Sequence, residues 1–215
     1  SNSPTSYEII CKIYNPDGTE FKGEFNLNTS PTNTVGSRKR LSICALVDGG
    51  FVVVWSSNNS GGTDPGVYGK IFEPDGTERV TEFRIDSATS TVQAEVMAAG
   101  LTNGNFAVAY NLDKGVSAND VYSKIFNPDG SVYKDEFILN TETSGNQIPK
   151  AITALHNCGF AVSWIMESPN GNGWEVHMRT VDASGNFPQP SETQVNTWPA
   201  GDQFASSMAV LNNGI

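Results

Sequence analysis

Gly49-Gly50-Phe51-Val52-Val53-Val54-Trp55 decides the fold, because it comes back. It returns as Asn105-Phe106-Ala107-Val108-Ala109-Tyr110 and as Gly159-Phe160-Ala161-Val162-Ser163-Trp164, and its opening returns as Gly214-Ile215. The spacings are 55, 54 and 55 residues. A strand that is apolar, or at least small, at both parities is buried on both faces, as between two stacked sheets. Two further landmarks keep phase with it. One is Asn15-Pro16-Asp17-Gly18, Glu73-Pro74-Asp75-Gly76, Asn127-Pro128-Asp129-Gly130 and a degenerate Asp182-Ala183-Ser184-Gly185. The other is Glu24-Phe25, Glu82-Phe83, Glu136-Phe137 and the weaker Glu192-Thr193. The chain is therefore a repeat of about 54 residues, present nearly four times.

Each unit reads as four short strands. The first is the Gly-Phe strand, at 51–55, 106–110 and 160–164. The second, at 9–14, 67–72, 121–126 and 176–181, runs into the Pro-Asp-Gly turn. There Pro presets φ, Asp caps, and Gly takes the positive-φ site. The third lies at 25–28, 83–86, 137–140 and 193–196, and the fourth at 41–47, 94–101, 148–155 and 204–211. No helical period appears. Four antiparallel strands per unit with a buried innermost strand predict an all-β chain, specifically a β-propeller with the Gly-Phe strand innermost. The units divide as 1–50 (lacking its first strand), 51–104, 105–158 and a divergent 159–215. An array of small β-sandwiches is the rival, but a sandwich usually needs seven strands or more and the period here is four. A first strand that opens at Gly214-Ile215 gives the further expectation that the ring is completed by more chain or by a neighbouring one.

Composition narrows the function classes. Of 215 residues, 38% are hydrophobic and 17% charged, which is a globular balance. The net charge of −10 comes from 23 acidic against 13 basic residues, and Arg38-Lys39-Arg40 is the one basic cluster, so no nucleic-acid partner is expected. No apolar run approaches the roughly 20 residues that span a bilayer, so no membrane insertion is expected. Cys11, Cys44 and Cys158 sit in no metal spacing and read as free thiols.

The repeat resembles a family. Gly49-Gly50-Phe51-Val52-Val53-Val54-Trp55, Tyr68-Gly69-Lys70-Ile71-Phe72, Glu136-Phe137-Ile138-Leu139-Asn140-Thr141 and Gln147 before Ala154-Leu155 are similar to tandem repeats of large secreted and cell-surface proteins, many of them adhesin-like or RTX-type. The resemblance covers essentially the whole chain. It implies an extracellular or surface propeller for display, adhesion or assembly. The fourth unit departs most, with His177 and Arg179 in place of Tyr and Lys.

Recurrence also sorts the polar residues, since a catalytic group is needed once and a structural group in every unit. Asp17, Asp75 and Asp129 belong to turn geometry. Gln93, Gln147 and Gln203 read as buried amides. Lys12, Lys70, Lys124 and Arg179 each precede Glu24, Glu82, Glu136 or Glu192 by 12 or 13 residues, predicting cross-strand ion pairs. His156 and His177 accompany no nucleophile elbow, and no zinc spacing, calcium loop or phosphate loop is present. The expectation is a non-enzymatic module for protein–protein interaction, adhesion or assembly, with no catalytic residue, metal or cofactor. A lectin-like, glycan-binding propeller is the alternative, and a hydrolase with its active groups elsewhere a third reading. The loops after the Gly-Phe strands share almost no sequence and should emerge on one face. They nominate Asn58, Asn59, Asp64, Asp113, Asn119, Asp120, Glu167, Asn172 and Trp174 as ligand-binding residues, amides and carboxylates beside an aromatic that suit a sugar or a protein loop. The expected partners are accordingly a protein, neighbouring copies, or glycans.

Overall fold

A computed structural model describes residues 8–29, 41–57, 65–87, 95–113, 118–168, 171, 173–197, 201–204 and 206–211. All of its regular structure is β. The first sheet is a hairpin of β1 (Ile10–Tyr14) and β2 (Glu20–Asn26). The second runs in order through β3 (Leu41–Ala45), β4 (Phe51–Ser57), β5 (Gly66–Phe72) and β6 (Glu78–Arg84). The third holds β7 (Val96–Gly100), β8 (Phe106–Asp113), β9 (Asn119–Phe126) and β10 (Val132–Ile138). The fourth holds β11 (Gln147–Ala154), β12 (Phe160–Glu167), β13 (Trp174–Val181) and β14 (Thr193–Gln194). Every pairing is antiparallel between chain neighbours.

Three apolar clusters join these sheets face to face, first to second, second to third and third to fourth. Alternation on one strand serves two clusters. Val53 and Trp55 of β4 face the first sheet, while Val52 and Val54 face the third. Two-sided burial is thus the mark of a strand inside a sheet that is itself sandwiched. Trp55, Tyr110 and Trp164 hold equivalent, buried positions between sheets.

The phase of the repeat needs correction. The Gly-Phe strands β4, β8 and β12 are second in their sheets, and the edge place belongs to β3, β7 and β11. The sequence divisions at 50/51, 104/105 and 158/159 therefore cut each of these sheets between its first two strands. The true inner strands are β3, β7 and β11, with β7 packing against both of the others. Close approach here selects small residues: a Cβ at Gly100 would collide with the Ala45 carbonyl oxygen. The described residues of 204–211, expected as a fourth strand, form none; their contacts include a Ser206–Ser163 hydroxyl pair at 2.7 Å and the Leu211 carbonyl 2.9 Å from His156 Nε2.

The turns follow their sequence closely. Gly18, Gly76, Gly130 and Gly185 all have positive φ, between 75° and 86°. Oδ1 of Asp17, Asp75 and Asp129 accepts from the backbone N–H two residues on, at 2.8–2.9 Å. In the fourth sheet Asp182 does the same work from an earlier position, accepting from Ser184 and Asn186 N–H. The turn survives the loss of Pro-Asp-Gly. Strand β14 is short because Pro188 and Pro190 cannot donate to a ladder.

The recurrent glutamates behave differently from expectation. Lys12 does pair with Glu24 at 3.9 Å, but its closer partner is Glu20 at 3.0 Å. Lys70 pairs with Glu78 and Lys124 with Asp135. Arg179 is buried and donates to the Leu139 and Pro190 carbonyls, with Phe187 under its guanidinium at 3.6 Å. Glu82, Glu136 and Glu192 instead reach across to the neighbouring sheet, accepting from backbone N–H of Thr29, Ser87 and Thr141. A carboxylate that latches an otherwise open corner N–H is worth more than a solvated ion pair.

Arg79 ties the second sheet's turns together, donating to Asp48 at 2.7 Å and to Glu73 at 2.7 and 2.9 Å. The Arg79 hydrogen bonds hold both carboxyls below their ordinary range. Their contribution to stability is present above the unfolded carboxylate range and is lost as pH falls through the lowered folded values. Thermal melts of Arg79→Ala should show a deficit at neutral pH that shrinks as pH falls through and below the ordinary carboxylate range. A deficit independent of pH would contradict this role.

The three described cysteines are free and half-buried. Burial pushes the Cys44 thiol up to about 12. Cys44 should resist alkylation in the folded protein at about pH 8 and react once the chain is unfolded, readable by peptide mass.

Candidate functional site

The inner strands converge on a cavity of about 410 Å³. Leu41 and Ser42 of β3, Glu95 with Val96–Ala98 of β7, Lys150–Ile152 of β11 and Ser206–Met208 line it. Its size falls within the range of small-ligand sites. Its chemistry centres on Glu95 and Lys150, whose Oε1 and Nζ lie 3.9 Å apart and are mostly covered.

Local structure explains both side chains. Glu95 precedes β7, and its backbone N–H is held by Asn111 Oδ1 at 2.7 Å, which fixes it at the end of the sheet where the loop after β8 begins. Lys150 owes its place to a bulge. Pro149 pairs with Trp164 and Ala151 with Ser163, so Lys150 is the extra residue of β11. A bulge re-aims the side chain it carries. Pro149 is tolerated because β11 is an edge strand.

The nominated residues are only partly assembled. Asn58, Asn59, Asp64 and Asn172 lie outside the described residues, and so does the side chain of Asp113 at the end of β8. Asn119 and Glu167 meet through Asn146: Asn119 Nδ2 donates to Asn146 Oδ1 at 3.2 Å, and Asn146 Nδ2 to Glu167 Oε2 at 3.4 Å. Glu167 pairs across the ladder with Trp174, whose ring lies 6.2 Å from Phe204. Asp120 is buried and accepts from Asn140 Nδ2 at 2.7 Å, so it braces the sheet corner and is no surface ligand. Of the recurrent glutamines, Gln147 is buried and donates to Ser144 and Gly145 carbonyls, while Gln93 lies outside the described residues.

Glu95 and Lys150 were missed by the sequence reading, although a signal existed. Paired positions Val96–Tyr110 and Pro149–Trp164 align the two ladders, which places Ile148 at the position of Glu95. Glu95 is therefore a carboxylate that does not recur, which is what a functional group should look like. Among the described residues no group of three His, Cys, Asp or Glu could hold a metal ion, and no helix is long and apolar enough to cross a membrane.

No family model matches the sequence, and no curated protein does. Among solved structures, the chain is similar to an α-L-arabinofuranosidase from Lactobacillus brevis, at 14% identity and a TM-score of 0.50, over 90% of this chain and 69% of that one. It also matches an endo-arabinase from Bacteroides thetaiotaomicron at 13% identity and a TM-score of 0.42, over 70% and 59%. At such identity the first likeness speaks for the fold, a propeller-like stacking of antiparallel sheets. The comparison nevertheless corrects two expectations. The first of these is described as an arabinofuranosidase, so the reading as a non-enzymatic adhesion or assembly module is withdrawn, and with it the reading that the chain is no enzyme.

Proposed function

We propose that the chain is a carbohydrate-active β-propeller that cleaves an arabinose-containing glycan seated where its inner strands meet. The observation that carries this is the cavity with Glu95 and Lys150 at its heart, on a fold similar to that of an arabinofuranosidase. The four described sheets are its blades, and β3, β7 and β11 line its axis. Glycosidic cleavage passes through an oxocarbenium-like transition state, and pocket carboxylates give and take the protons it needs. Glu95 is the carboxylate among the described lining residues. Lys150 beside it supplies a charge-assisted donor to a sugar hydroxyl or to Glu95 itself. Ser42 and Ser207 add hydroxyls to the wall.

Incubation with arabinan and with an aryl arabinofuranoside tests the reading. Release of arabinose or of the aryl alcohol is expected. No release from either substrate, together with no binding by calorimetry, would overturn it.

A further inference from the structure

Glu95 is not the only residue of the third sheet that departs from the other inner strands. Paired positions Ser42–Val54, Met97–Ala109 and Ala151–Ser163 align the three ladders two residues further along. At this place β3 and β11 carry the small Ser42 and Ala151, whereas β7 carries Met97. The packing of the repeat is met by a small side chain here, so the length of Met97 answers to something else.

Alternation fixes where Met97 points. Val96 and Ala98 belong to the cluster between the second and third sheets. Glu95 and Met97 therefore turn the other way, toward β11. There Lys150 reaches Glu95, and Ile152 packs against the cluster between the third and fourth sheets. Met208 lines the same cavity, on the segment held by the Ser206–Ser163 hydroxyl pair. The groove between β7 and β11 is thus built in two steps. Glu95 and Lys150 form a charged one, and Met97, Ile152 and Met208 an apolar one. The two steps lie two residues apart along the strand, about 7 Å.

An unsubstituted sugar suits the first step and not the second. Its surface is hydroxylated on every side, and thioethers and methyl groups give a buried hydroxyl no partner. Two of the three side chains on the apolar step are methionines, whose sulfurs make favourable contacts with aromatic rings. The described lining residues include no aromatic ring, so the ring that these sulfurs suit comes with the ligand.

On the reading of this cavity as an arabinoside site, we infer that its substrate is an arabinoside with an aromatic aglycone. The sugar lies at Glu95 and Lys150, and the aromatic ring lies against Met97 and Met208. A ring attached to the glycosidic oxygen that Glu95 serves spans the one step to Met97. An arabinan chain would set a further sugar's hydroxyls on the apolar step and bind more weakly.

Calorimetry with methyl and benzyl 1-thio-α-L-arabinofuranoside tests this, because the two share one sugar and the sulfur linkage resists cleavage. The benzyl compound is expected to bind about 10- to 100-fold tighter, the worth of burying one phenyl ring. In Met97→Ser and in Met208→Ser that ratio should fall severalfold. Equal affinity of the two glycosides would overturn the inference and leave the sugar reading standing, and so would a ratio that neither substitution lowers. Binding of neither glycoside would remove the sugar reading itself, and this inference with it.

Discussion

Glu95→Gln is expected to slow arabinoside cleavage by about 10²- to 10⁴-fold, the usual worth of a positioned acid or base. The substitution keeps the shape of the side chain and removes its ability to exchange a proton. Its effect should fall on kcat, with KM changed little, because the amide still fills the wall of the cavity. Lys150→Met asks a different question. It removes the cation 3.9 Å from Glu95 while keeping a long side chain on the bulge. Loss of activity in both variants with unchanged melting temperatures would place the chemistry in this cavity. Full activity in Glu95→Gln would exclude it as the acid or base.

Trp164→Ala should cost about 3–5 kcal/mol. The ring is wholly buried between the third and fourth sheets and lies over His177, centroids 6.4 Å apart. Its Nε1 is buried without a hydrogen-bond partner, whereas the equivalent Tyr110 hydroxyl donates to Glu136 at 2.8 Å. Trp164→Phe should therefore cost less than half as much, since it removes an unsatisfied donor along with the lost area. Denaturant melts of the pair check this. Equal losses would mean that the indole N–H is satisfied in solution.

The all-β class, the repeat and the turn chemistry were legible because each is local. Alternation on residues 51–55 and the Pro-Asp-Gly spacing report on a few neighbouring residues and need no knowledge of partners. The phase of the sheets was not legible. Burial on both faces marks β4 equally well as an innermost strand or as one inside a stacked sheet, and the ladder partner of β3 decides between them. The glutamate latch was hidden for a similar reason. Glu136 lies 12 residues from Lys124 in sequence, yet it accepts from Ser87, 49 residues away in the neighbouring sheet. Recurrence identified these glutamates as structural without saying which structure they hold. The cavity failed differently: Glu95 is conspicuous by not recurring, but that becomes visible only once the ladders set the alignment, and Lys150 enters only through a bulge.

The most direct measurement is a crystal structure of the Glu95→Gln protein soaked with an arabino-oligosaccharide. The account predicts a sugar in the cavity between β3, β7 and β11, with a glycosidic oxygen within hydrogen-bond distance of the residue 95 side chain. A sugar bound elsewhere with this cavity empty, or no sugar bound at all, would contradict it.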